Sequence, residues 1–199
     1  MSGHCSAGRH HGNLTLVERR PTLSVNEWAV LGVLVDKPRH GYDIAAELRP
    51  GMPIGNVWRL TRQLVYRALE RLDALGLAEP RRTELGEAGR PRTIYGPTRR
   101  GRAALRSWLT TPVEHLRDVR GAFLLKLVLL DRLGHERHAL VEAQWAAFAE
   151  LLDDLGAPPP GEDVVATWRH HSACAVAAFL EALDGPEGEG VARTRQARG

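Results

Sequence analysis

Arg62, Gln63, Tyr66 and Arg67 place two guanidiniums, an amide and a phenol at helical spacing on one short stretch. Arginine grips phosphate oxygens and reads guanine edges. Glutamine can bond adenine twice, and a phenolic hydroxyl can reach the backbone. Gathered on one side of a helix, these groups suit the major groove of double-stranded DNA. Thr61 stands just before them as an N-cap, and Arg71 carries the same face one turn further. All six are candidate DNA contacts of a recognition helix over 61–75.

That helix has to be held by a core, and the sequence supplies one. Leu64, Val65, Ala68, Leu69, Leu72 and Leu75 fall in one arc when placed about 100° apart. Gly76 stands where a left-handed residue closes a helix, and Leu77 can fold back on Leu72. Upstream, Ser24 and Glu27 form a capping box for a helix to about Val35, apolar on most sides and expected to be central. Asp36 to Arg39 reads as a turn. His40 to Leu48 makes a second helix, stopped by Pro50 and Gly51. Pro53 to Leu60 reads as a loop leading to the Thr61 cap.

After Gly76 two short extended segments, Leu77–Thr83 and Arg92–Tyr95, flank a glycine-containing loop. They predict a β-hairpin, a wing over 77–97, bearing Arg81, Arg82, Arg90 and Arg92. Arg81, Arg90 and Arg92 are candidate contacts to phosphate or a narrow minor groove. Solubilising charge on an exposed hairpin is the other reading. Thr98 then caps a helix from Arg99 to Leu109. Its basic first turn opposes the helix dipole, a cost that a nearby phosphate backbone would offset.

Charge is divided along the chain. Residues 1–110 hold 18 Lys/Arg against 10 Asp/Glu, net +8; residues 111–199 hold 9 against 14, net −5. A basic first half points to a polyanionic partner, although solvated charge without a partner would look alike. The 199 residues suffice for one sizeable domain or two small ones. No apolar run has the length of a membrane span, and there is no apolar signal segment. Two cysteines, Cys5 and Cys174, form no disulfide framework, so a reducing cytoplasm is the expected location.

Several stretches together resemble the PadR family of bacterial transcription regulators. They are His40-Gly41-Tyr42-Asp43-Ile44, Val65 to Leu72, Gly76-Leu77, and Gly89 to Tyr95 with Thr98 and Gly101. The resemblance covers roughly residues 22–109 in order and spacing, and follows less clearly between Arg49 and Leu60. It implies a winged helix-turn-helix, mostly α with a small β-hairpin, joined to an all-α dimerisation module, and a repressing role. By the same resemblance Tyr66 and its helix neighbours contact DNA, and Tyr95 with Thr98 closes the wing onto the next helix. Tyr42 joins the candidate DNA contacts.

From about 111 onward the pattern is helical. Asp118–Leu133 reads as one buried helix. His135–Leu155 carries Val141, Trp145, Phe148, Leu152 and Leu155 at seam spacing. Glu162–Leu183 places Val165, Trp168, Ala175, Phe179 and Leu183 on one side. So much apolar surface predicts a homodimer, with Val141, Phe148, Leu152 and Phe179 in its interface. Two recognition helices would then meet successive major grooves of a palindromic operator. Trp145 and Trp168 are candidates to hold a small aromatic effector; packing within the helices is the competing role. His170, His171 and Cys174 lie on one helix at i+3 and i+4 spacing and could make part of a metal site but have no second cluster, and His4, Cys5, His10 and His11 match no strong ligand pattern, so no metal or other cofactor is assigned.

The expected organisation is a mobile arm (1–22), a winged DNA-binding domain (23–110), a helical dimerisation domain (111–184) and a disordered tail (185–199). No phosphate loop, activated nucleophile or carboxylate pair is evident, so a regulator rather than an enzyme is expected. A protein–protein adaptor or a ligand sensor without DNA binding are the alternatives. Acidic or apolar residues on the 62–67 face would have favoured the adaptor.

Overall fold

Ser24 opens the first helix as its sequence requires. Its backbone N–H donates to Glu27 Oε2 at 2.5 Å, and its side chain caps the helix in return. The helix that follows, α1 (Val25–Asp36), is buried from Ala29 to Leu34. The structure, a computed structural model, describes residues 22–85, 91–159, 161 and 163–184. The expected arm, except Thr22, the tail and the Arg90 tip lie outside the described residues.

Around α1 stand α2 (Gly41–Glu47), α3 (Pro53–Val57) and α4 (Arg62–Ala74). The α3 turn corrects the loop expected there. Pro53 occupies its first turn, where the missing N–H costs nothing, and Ile54 is drawn fully into the core. Strand β1 (Arg39–His40) corrects the expected turn, because both residues pair with the hairpin made by β2 (Ala78–Leu85) and β3 (Pro91–Pro97). The sheet is antiparallel in the order β1-β3-β2, with Arg39 opposite Tyr95 and Thr83 opposite Thr93. The ladder slips between Pro80 and Arg82, next to a proline that has no N–H to give.

Thr98 ties the hairpin to the next helix, α5 (Arg99–Thr110). Its hydroxyl donates to Gly76 O at 2.8 Å and accepts from Gly101 N at 3.0 Å. Gly101 is required at this crossing, since a Cβ there would lie 2.0 Å from Leu77 O. The basic first turn of α5 has intramolecular work. Arg100 donates to Leu75 O at 3.3 Å and Arg102 to Val35 O at 3.2 Å. Both guanidiniums therefore sit at the carbonyl ends of neighbouring helices, where the dipole favours cations.

The second half is helical. The single turn α6 (Leu116–Asp118) runs through a π-helical turn (Val119–Phe123) into α7 (Leu124–Arg132). The regular helix expected over Asp118–Leu133 is thus interrupted. The Trp58 ring sits against Gly121, where an added Cβ would be 3.1 Å from it. Helices α8 (His138–Gly156) and α9 (Val164–Asp184) lie against each other. One continuous buried cluster takes in residues from Leu23 to Leu180, so both halves share it. Arg132 adds a polar tie, reaching Asp36 and Glu47 at 2.9 Å each.

Candidate nucleic-acid interface

Helix α4 begins and ends where its sequence marks it. Leu64 N donates to Thr61 Oγ1 at 3.4 Å, a long but well-placed cap. At the other end Leu77 N donates to Leu72 O and Gly76 N to Asp73 O, both at 2.8 Å, with Gly76 at φ 65°. This is the Schellman pattern. Val65, Ala68, Leu69 and Leu72 are buried, while Leu64 and Leu75 are half-buried. Burial of each leucine contributes roughly 2 kcal/mol, which fixes the roll of the helix.

The opposite face is open. Thr61, Arg62, Gln63, Tyr66, Arg67 and Arg71 are all exposed. Helix α2 supports its N-terminal end. The Arg62 guanidinium carbon lies 5.1 Å from the Tyr42 ring centroid. The Tyr66 ring rests on Gly41, where an added Cβ would come within 2.8 Å of it. Glycine leaves room for that approach, which gives the His40-Gly41-Tyr42 stretch a physical reason. Tyr42 and Tyr66 remain 54% and 44% exposed, too open for core side chains. Among the described residues, Arg62, Gln63 and Arg67 make no ion pair and no side-chain hydrogen bond to the protein. Arg71 differs, with its Nε 4.0 Å from Glu27 Oε1.

On the wing the arginines divide. Arg81 donates to Pro97 O at 2.8 Å, pairs with Glu79 at 2.9 Å and covers Gly96. It holds the hairpin to itself. Arg82 pairs with Glu84 at 2.5 Å. Arg92 is exposed and has no ion pair among the described residues. Arg90 lies outside them.

The helical half departs further from expectation. Val141, Phe148 and Leu152 are buried within the subunit, because the seam spacing of α8 serves its own core. Phe179 is half-buried and meets Phe123 edge-on at 6.4 Å. The face of α9 turned inward carries Ala173 and Leu180, while Val164, Val165 and Trp168 are 80%, 67% and 72% exposed. Trp145 is half-buried against the core and lies apart from the groove that Trp168 borders, so the two tryptophans do not form one pocket. His170 Nδ1 faces Leu155 O at 2.7 Å, and no group of three metal-ligating side chains occurs among the described residues. No described helix is long and apolar enough to cross a membrane.

The transcriptional regulator PadR-like family matches residues 30–107. No curated protein matches the chain. Among solved structures it is similar to Bacillus subtilis PadR in complex with operator DNA, at 21% identity and TM-score 0.44, covering 82% of this chain and all of that one. The same protein in complex with p-coumaric acid gives 20% identity and TM-score 0.40, covering 80% and 96%. The smu.1604c protein of Streptococcus mutans UA159 gives 17% identity and TM-score 0.39, covering 78% and 96%.

Proposed function

We propose that this chain, whose residues 30–107 match the transcriptional regulator PadR-like family, binds a specific operator as a homodimeric repressor. One observation carries the reading. The exposed N-terminal end of α4 presents Arg62, Gln63 and Arg67 with no ion pair among the described residues, and Tyr66 and Tyr42 stand beside them. Cationic and amide groups left without ion pairs or hydrogen bonds to the protein on a rigid helix are ready for phosphates and base edges. Arg92 extends the positive surface onto the wing. Arg71 and Arg81, with protein partners of their own, contribute through placement of the elements.

Two copies joined through their helical halves would set two α4 helices about one DNA turn apart, matching a palindromic site. Val164 and Val165, apolar and exposed, are the residues for that contact. A small effector held by the helical half would relieve repression.

Footprinting of the promoter upstream of the chain's own gene tests the reading. Protection of a two-fold symmetric site is expected, lost in the Arg62→Ala/Arg67→Ala double variant while sedimentation still shows a dimer. Wild-type affinity in that variant would sink the assignment.

A further inference from the structure

Helix α5 stops at Thr110, two residues before Pro112, whose ring cannot continue a helix and which has no N–H to give. The backbone around that proline joins the winged half to the helical half. Val113 is buried there, so its N–H and C=O need partners inside the protein. Side chains from two helices supply the bonds. Lys126 of α7 donates through Nζ to Thr111 O, just before the proline. Gln144 of α8 takes both backbone groups of Val113, just after it. Its Oε1 accepts from Val113 N at 2.8 Å, and its Nε2 donates to Val113 O at 3.0 Å.

Among the described residues, Lys126 at 2% exposure and Gln144 at 0% are the buried polar side chains, and both are directed at this junction. Burying an ammonium or an amide costs stability that an apolar residue of similar volume would not. The positions are therefore better explained by direction than by stability. Lys126 lies beyond the C-terminal end of α5, where the dipole favours a cation, and 4.8 Å from the centroid of the Trp108 ring. Trp108 in turn stacks on Trp28 of α1, with centroids 4.9 Å apart and planes 11° from parallel. The junction is thus gripped from α1, α7 and α8. Elsewhere the halves meet through apolar contact, as where Leu129 lies over Gly32, and through the long side chain of Arg132. Apolar contact has no preferred direction. Two hydrogen bonds from one planar amide to one residue fix both the place and the rotation of the segment.

We infer that Gln144 and Lys126 are positioning residues for operator binding: by holding the backbone on either side of Pro112 they fix the direction in which the helical half leaves α5, and so the separation and rotation of the two α4 helices in a dimer. This rests on the reading of the chain as a dimer on a two-fold operator, and adds the residues that set the half-site spacing. Neither side chain touches DNA, since both are buried. One base pair inserted between half-sites moves the second by about 3.4 Å along the axis and about 35° around it. A junction held by directed bonds does not follow that step, and one held by apolar contact alone does. The two residues therefore act on the tolerance for spacing and leave the affinity for a single half-site alone.

Two measurements on the full chain test this. The first needs neither DNA nor a dimer. Spin labels on Asp73→Cys in α4 and Glu150→Cys in α8, both exposed positions, report the distance between the halves by pulsed electron resonance. Cys5→Ser and Cys174→Ser remove the other thiols, and labelled chain is diluted into unlabelled. One narrow distance distribution is expected, at least doubled in width in Gln144→Met and in Lys126→Met; the lysine variant keeps its volume and serves if the glutamine variant does not fold. Leu140→Ala, a core cavity one turn before Gln144, should lower the melting temperature and keep the narrow width. The second measurement compares the footprinted operator with versions one base pair longer and shorter between half-sites, and with a single half-site. Wild type should lose on the order of a hundred-fold on either altered spacing, as simultaneous engagement fails. Gln144→Met should bind the native spacing about ten-fold more weakly, lose less than about three-fold more on the altered ones, and hold a single half-site as wild type does. An unchanged width in the methionine variants, equal broadening in Leu140→Ala, or a wild-type spacing ratio in Gln144→Met overturns the proposal. Absence of a two-fold site for the wild-type chain overturns the operator reading instead, and the distance widths still decide whether the two residues hold the junction.

Discussion

The guanidinium of Arg62 lies over the face of the Tyr42 ring, 5.1 Å from its centroid, so α2 steadies the first turn of α4. The ring face attracts the cation whether or not a hydroxyl is present. Tyr42→Phe is therefore expected to keep operator affinity close to wild type, while Tyr42→Ala weakens it about three- to five-fold, the worth of one exposed cation–π contact. Fluorescence anisotropy on a labelled operator at fixed salt reads the difference. An equal loss in both variants would assign the contact to the hydroxyl and DNA instead.

The ends of α4 were legible because caps are local. Thr61, Gly76 and Leu77 act within a few residues of themselves, and the observed hydrogen bonds join those residues. The same holds for Ser24 with Glu27 and for Thr98 with Gly101. What escaped depends on distant partners. Segment 53–57 became a helix because Ile54 has a core to enter, and β1 exists because β3 lies beside it. Seam spacing in α8 indicates that Val141, Phe148 and Leu152 are buried, and is silent on whether the burying surface belongs to the same subunit. The roles of Arg100 and Arg102 were missed for the same reason, since their carbonyl partners are 25 and 67 residues away.

Glu47 is held by two arginines, Arg132 at 2.9 Å and Arg39 at 2.7 Å. The hydrogen bond from Arg132 lowers its carboxyl pKa below the ordinary 4.5, with Arg39 adding to the effect and burial opposing it. A carboxylate with a lowered folded-state pKa stabilises the fold above its unfolded value, and that stability fades as pH falls through the folded one. Glu47→Gln should cost about 2 kcal/mol at pH 7, the loss of charged hydrogen bonds. In acid the difference between wild type and variant should shrink as pH drops below 4.5. Urea unfolding of both proteins across that range checks it, and a constant difference would remove the ion pairs as its source.

Lys126 works in the other direction. It is 2% exposed, its Nζ donates to Thr111 O, and it lies 4.8 Å from the centroid of the Trp108 ring. Burial pushes its pKa down to about 8 from 10.5. Between those values the unfolded chain binds the proton more tightly, so folding stability gains as pH rises through the window. Relative to Lys126→Met, the wild type should gain up to about 3 kcal/mol across it. Thermal or urea unfolding at several alkaline pH values measures the gain. Parallel stability curves for the two proteins would show that the buried ammonium is not the source.

Two wing arginines that look alike in sequence separate by their partners, and salt dependence distinguishes them. Each phosphate neutralised by a cation releases counterions, so losing one contact lowers the slope of log K against log salt by about 0.9 on duplex DNA. Arg92 is exposed without an ion pair among the described residues and is free to reach a phosphate. Arg81 spends its guanidinium on Pro97 O and Glu79, at 2.8 and 2.9 Å. Arg92→Ala should therefore weaken binding to operator and unrelated DNA alike, and lower the slope by about 0.9. Arg81→Ala should keep nearly the full slope while lowering the melting temperature, because the wing loses its anchor to β3. Titrations at four or more salt concentrations for wild type and both variants provide the comparison. A full slope in Arg92→Ala beside a reduced one in Arg81→Ala would reverse the assignment and place the phosphate contact at the base of the hairpin.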